Sequence, residues 1–290
     1  MLQQVPFAII EQISSALNVK VTGFSFASGG CINSGGHLTT TKGTFFLKWN
    51  DARKYPNMFE AESKGLKILA ESATLRIPNV IQTGVAGTYQ FLLLENIDQR
   101  KTANDFWKKL GEQLAALHRI SSSAFGLSFN NYIGSLPQRN SMHQSWTSFF
   151  IEERLKPQVA LASSSGALQA ETIALFEKLY QKLPSVVAEE TPALLHGDLW
   201  SGNLIADEVG NPCLIDPAVY FGNREAELAF TQLFGGFSNQ FYDSYNNTFP
   251  LERDFNTRIA LYNLYPLLVH VNLFGGGYAS QVFSVLRYYV

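Results

Sequence analysis

Residues 194–204 read LLHGDLWSGNL, and residues 214–228 read LIDPAVYFGNREAEL. The stretch around each, PALLHGD and NPCLIDP, predicts a short buried strand running into a turn, and each run stops at a lone carboxylate, Asp198 or Asp216. The spacing is His-x-Asp-x-x-x-x-Asn with a second Asp 18 residues after the first. That is the layout of a phosphoryl-transfer site. Asp198 is expected to accept the proton of an attacking hydroxyl. Asn203 is expected to bring an amide oxygen to Mg²⁺, and Asp216 a carboxylate to the metals that bridge the ATP phosphates. Mg²⁺ takes hard oxygen ligands and only a few of them from protein, so one amide and one carboxylate suffice. Gly197 and Gly202 let the loop turn tightly. His196 reads as an organiser that bonds to backbone near Asp216, not as a proton carrier.

Composition narrows the class. Of 290 residues, 46% are hydrophobic and 16% charged, so the chain can bury a sizeable core. With 22 Lys+Arg against 24 Asp+Glu it lacks the basic excess of a nucleic-acid binder. No apolar run approaches the roughly 20 residues that cross a bilayer. The opening MLQQVPFAIIEQISSAL has no basic n-region and reads as an amphipathic helix. Two distant cysteines, Cys31 and Cys213, suit a reducing cytoplasm better than a disulfide framework.

Residues 19–49 alternate and break on glycines, which predicts antiparallel strands with Gly-rich connections. NMFEAESKGLKILAES then places Phe59, Leu66, Leu69 and Ala70 at helical spacing, and IPNVIQTG and TYQFLLLENI read as two further strands. After ENIDQR the pattern turns helical over 103–120 and most of 141–160, 167–183, 224–245 and 251–274, except for a β pair around Asp198 and Asp216. The expected architecture is α+β and bilobal: a small β-rich lobe over 1–95 with one long helix, and a larger, mainly helical lobe over 96–290.

The small lobe offers the parts a nucleotide needs. ASGGCINSGGH lies between two strands, where backbone N–H groups around Gly29 and Gly30 can fold over phosphates; it holds no GKS or GKT, so it is not a Walker A loop. In TFFLKW, Phe46 and Lys48 share one strand face and Phe45 and Leu47 the other. An inward Lys48 needs a counter-charge, which Glu62 on the next helix can supply; Glu60 competes but lies on a different helix face. Backbone groups around Glu95 to Ile97 could bond adenine at the connector.

With these residues in place, nearly the whole chain resembles the fructosamine-kinase (ketosamine-3-kinase) branch of the protein-kinase-like small-molecule kinases. The resemblance rests on GGCIN, FFLKWN, MFEAESKGLKIL, QRNSMHQSWTSFFIEERL, LLHGDLWSGNL, IDPAVYFGNRE and LFGGGY. HGDLWSGN, with Trp200 inside it, separates this branch from aminoglycoside and choline kinases. The resemblance implies a protein-kinase-like fold. It also implies ATP- and Mg²⁺-dependent phosphorylation of the sugar 3-hydroxyl of fructosamines or ribulosamines, on small amines or on glycated lysines of proteins, after which the adduct breaks down and releases the amine. Trp200 would lie beside the acceptor and stack on the sugar. Relatives usually carry Asp where this chain has Glu227. Oxidation joins two chains through a loop cysteine in some relatives, so Cys31 is a redox candidate, and the chain is expected to be a monomer or a redox-sensitive homodimer. Two other readings stand beside this one: a kinase for another small hydroxylated amine, and a nucleotide-binding module without turnover.

Overall fold

The computed structural model describes residues 4–27 and 33–290; Gly29, Gly30 and Cys31 lie outside the described residues. The chain forms two compact units, one built from residues 1–106 and 205–216, the other from 107–204 and 217–290.

In the first unit, α1 (Phe7–Leu17) buries Ile9 and Ile13, and Asn18 in a left-handed conformation ends it with a backbone N–H bond to Ser14. Five antiparallel strands follow the order β1 (Val21–Phe26), β2 (Ser34–Thr40), β3 (Gly43–Asp51), β5 (Tyr89–Glu95), β4 (Val80–Ala86). Strand alternation sorts β3 into two faces. Leu47 and Trp49 join Ile9, Ile13, Phe24, Leu38, Phe91 and Leu93 in one core. Lys48 therefore points to the opposite face, where α2 (Met58–Glu71) packs Phe59, Leu66 and Leu69 inward. The second segment of this unit is a small hairpin, β9 (Leu204–Ala206) with β10 (Pro212–Leu214). Its turn is held by Asp207, whose carboxylate accepts the N–H groups of Val209 and Asn211 at 3.0 and 2.8 Å. Leu214 donates to the Arg76 carbonyl at 3.0 Å, which ties β10 to the rest of the unit and carries the chain to Asp216.

The second unit is mainly helical. It contains α3 (Phe106–His118), a hairpin of β6 (Asn131–Ile133) and β7 (Leu136–Gln138), and α4 (Trp146–Phe149), which runs through a π-helical turn (Phe150–Leu155) into α5 (Lys156–Ser164). It continues with α6 (Ala170–Val186), the pair β8 (Ala193–Leu195) and β11 (Tyr220–Gly222), then α7 (Arg224–Leu233), α8 (Asn239–Thr248), α9 (Phe255–Tyr262), α10 (Leu264–Phe274) and α11 (Tyr278–Tyr289). The expected β pair around Asp198 and Asp216 is corrected here. The strand before Asp198 pairs with β11, with Tyr220 opposite Leu195, and the strand before Asp216 pairs with β9. β10 closes onto β9 across the short turn at Asp207, which costs little loop-closure entropy, and this leaves β11 as the partner of β8.

Candidate active site

In the first unit Lys48 gathers two carboxylates. Its ammonium lies 2.7 Å from Glu62 and 2.5 Å from Asp216. Glu60 is not a partner of Lys48: it pairs with Lys64 at 2.7 Å on the exposed side of α2. Burial works against the Lys48 charge, yet Asp216 and Glu62 outweigh it and hold the ammonium above its ordinary range. Burial pushes the Glu62 carboxyl up, Lys48 pulls it back, and the net direction is upward. Lys48 is thus a fixed cation whose charge is set by geometry, while the Asp216 side chain keeps 43% of its surface open. Asp216 sits at φ 57°, a left-handed conformation that a non-glycine residue adopts at a cost and that is concentrated at functional sites.

At the connector, Glu95 uses its carboxylate internally. It pairs with Arg76 and accepts the backbone and side-chain N–H groups of Asn79 at 3.0 and 2.9 Å. Burial would raise its pKa, but these bonds hold it below the ordinary carboxylate range. Its own backbone N–H donates to the Asn79 carbonyl at 2.9 Å, and Ile97 is buried. The Glu95 side chain is thus engaged within the first unit.

In the second unit the loop after β8 is held from beneath. Glu227 on α7 is buried, and its carboxylate accepts the N–H groups of Gly197 at 2.6 Å and His196 at 3.2 Å. His118 on α3 bonds to the same carboxylate at 2.9 Å and to the Tyr245 hydroxyl at 2.8 Å. Burial would raise the Glu227 pKa; the bonds from His118, the nearby His196 and the Gly197 N–H keep it low. The longer Glu at a position where relatives usually have Asp still reaches both loop amides. Gly197 adopts φ 84°, and a Cβ there would lie 2.0 Å from the Ala218 carbonyl oxygen. Ala218 donates to the His196 carbonyl at 2.9 Å, so His196 does bond to the backbone just beyond Asp216.

Asn203 closes a short 3₁₀ turn, Ser201–Asn203. Its amide nitrogen donates to the Asp198 carbonyl at 2.8 Å and to the Asp198 carboxylate at 2.9 Å. Both bonds use the amide nitrogen, so the amide oxygen is the end left to meet a cation. An amide oxygen is a hard donor of the kind Mg²⁺ accepts, and in the first unit the part-exposed carboxylate of Asp216 is another. Among the described residues no group of three or more His, Cys, Asp or Glu gathers as a metal centre. Trp200 is exposed, and its ring meets Phe234 edge-on at 6.2 Å between centroids. A Cβ on Gly202 would lie 2.3 Å from the Trp200 ring, so the second loop glycine sets the position of that ring. Cys213 is buried in β10, which pushes its thiol up to about 12 and leaves it inert.

Sequence reasoning missed His270, which lines one small cavity together with Gly197, Asp198 and Glu227. A lone histidine in an apolar helix gives no local signal. The helical spacing that brings Pro266, Val269 and His270 to one face could have marked it.

The family model described as fructosamine kinase matches residues 2–290. A Synechocystis sp. protein named as a probable ketoamine kinase is 42% identical over 90% of this chain and 88% of its own length. The Ketosamine-3-kinase of Mus musculus is 34% identical over 93% of this chain and 95% of its own. Among solved structures, a Haemophilus somnus protein provisionally named a fructosamine-3-kinase superposes with a TM-score of 0.89 at 28% identity, covering 98% of this chain and 97% of that one. The aminoglycoside phosphotransferase APH(4)-Ia shares the fold alone, with a TM-score of 0.63 at 17% identity over 97% and 98% of the two chains. The chain belongs to the fructosamine kinase family and is a small-molecule kinase with a hydroxyl acceptor, built on the protein-kinase-like α+β fold.

Proposed function

We propose that this kinase transfers the γ-phosphoryl group of Mg–ATP to a sugar hydroxyl of a ketoamine, a fructosamine or ribulosamine carried on a small amine or a lysine side chain. The observation that carries the reading is the loop held by Glu227, in which Asn203 fastens the Asp198 carboxylate at 2.9 Å. A carboxylate fixed in this way takes the hydroxyl proton as the oxygen bonds to phosphorus and the bond from phosphorus to the ADP oxygen breaks. Lys48, anchored by Glu62, holds the α- and β-phosphates, and backbone groups from Glu95 to Ile97 hold the base. Asn203 and Asp216 would hold Mg²⁺, which when bound neutralises charge on the phosphates. Trp200 offers a ring face to the acceptor sugar.

The substrate class is supported by the family and by the names of its relatives, among them a protein-ribulosamine 3-kinase of Oryza sativa at 38% identity. No helix among the described residues is long and apolar enough to cross a membrane. A panel of ribulosyl-, erythrulosyl- and fructosyl-lysine with ATP and Mg²⁺ tests the proposal by ADP release and product mass. At least one ketoamine should be phosphorylated with catalytic turnover. Turnover of choline or an aminoglycoside, with every ketoamine inert, would replace this reading with the other-amine kinase. ATP binding with no turnover on any acceptor would replace it with the nucleotide-binding module.

A further inference from the structure

Beside the catalytic loop the second unit carries a row of aromatic rings that the core does not use. Phe234 lies just beyond α7, His270 and Phe274 lie on the last turns of α10, and Tyr278 opens α11. The His270 ring is 4.7 Å from Phe234, 5.4 Å from Phe274 and 5.1 Å from Tyr278, and Trp200 extends the row through Phe234. Gly275 and Gly276, at φ 65° and 64°, reverse the chain so that Tyr278 returns to His270, which gives the LFGGGY segment a geometric purpose. These rings stay open to solvent: Trp200 is 38% exposed, Phe234 39% and Phe274 55%. Apolar rings left exposed side by side mark a contact surface.

The row is continuous with the reacting centre, because His270 lines the same cavity, about 40 Å³, as Asp198 and Gly197. The His270 ring has a defined orientation. Its Nδ1 lies 2.8 Å from the Pro266 carbonyl and donates to it, so Nε2 is the acceptor end of the neutral ring. Burial holds the ring below the ordinary histidine range, which favours that neutral form.

We infer that Phe234, His270, Phe274 and Tyr278, which continue the row from Trp200 at the sugar, form the subsite for the amine portion of the substrate, with the ring faces receiving its secondary ammonium and the hydrocarbon stem beyond it. The inference rests on the ketoamine reading and adds which end of the substrate the second unit selects. In a ketoamine the nitrogen lies only a few bonds from the reacting hydroxyl. With that hydroxyl at Asp198, the nitrogen falls within reach of residues lining the same cavity. Aromatic faces attract an ammonium through their quadrupoles and cover an alkyl stem by apolar contact, whereas a second sugar would require a row of hydrogen-bonding groups.

Steady-state kinetics on two ketoamines with the same sugar separate the possibilities, one formed on methylamine and the other on the ε-amine of Nα-acetyl-lysine. Phe274→Ala removes the most exposed ring and little of the core. It should raise KM for the lysine adduct about five- to tenfold, at least about threefold more than for the methylamine adduct, with kcat little changed. Phe274→Tyr should restore the wild-type ratio. If Phe274→Ala and Phe234→Ala shift both substrates equally, or shift neither, the amine-subsite assignment is overturned while the ketoamine reading stands. A wild-type enzyme that phosphorylates neither adduct, nor any ketoamine of the panel above, overturns both.

Discussion

Lys48 is buried and touches two carboxylates, so its environment is defined by charge as much as by packing. Removing one partner of a buried, hydrogen-bonded pair leaves the other uncompensated, typically at a cost of about 3–5 kcal/mol. Glu62→Gln keeps the shape of the side chain but removes its charge, leaving Lys48 to Asp216 alone. In the proposed mechanism the ammonium is then drawn towards Asp216 and away from the nucleotide phosphates. The expected result is a KM for ATP raised about tenfold or more, with a smaller change in KM for the acceptor. Kinetics with each substrate varied in turn check this; equal shifts for both would detach Glu62 from nucleotide binding. Much at this scale was legible in the sequence. A strand with Phe46 and Lys48 on one face and a helix with Glu62 turned towards it follow from periods of 2.0 and 3.6 alone. Phe234, His270, Phe274 and Tyr278 were not legible, because three separate segments bring them together only after α7, α10 and α11 have packed.

Among the elements, α7 does more than cover the core. It places Glu227 under the loop after β8, where one carboxylate satisfies two backbone N–H groups and a histidine. Because these bonds lower the pKa of Glu227 in the folded state, the ionised group stabilises the fold at pH above its unfolded value, and that contribution is lost as pH falls through the folded value. Wild type should therefore lose stability on acidification below about pH 4, beneath the ordinary carboxylate range. Glu227→Gln should be less stable at neutral pH and show a flatter decline in acid. Thermal melting between pH 3 and 7 measures both curves; parallel curves would show that the buried carboxylate is not what holds the loop. The sequence identified the loop and the neighbouring strands but mispaired them. PALL and PCLI look alike as apolar runs, and nothing local distinguishes a partner at β11 from one at β9. His118 illustrates the same limit. Its helix was evident, whereas its bonds to residues 109 and 127 positions away were not.

For the molecule as a whole, the residues of the proposed mechanism fall in two units. Lys48, Glu62 and Asp216 belong to the unit built on the five-stranded sheet, and Asp198, Asn203, Trp200 and the aromatic row belong to the helical one. The Asp216 hairpin joins the sheet unit although residues 107–204 separate it from that unit's first segment, a discontinuity that a reading along the chain does not reveal. The central claim is that Asp198 accepts the proton of a ketoamine hydroxyl during phosphoryl transfer. Asp198→Asn, assayed for ketoamine phosphorylation and titrated with ATP in parallel, tests it most directly. The account predicts turnover reduced by about 10²–10⁴-fold, the usual worth of a positioned general base, with ATP affinity within about twofold of wild type. Turnover within about threefold of wild type would contradict it, because an amide cannot take the proton that this mechanism assigns to Asp198.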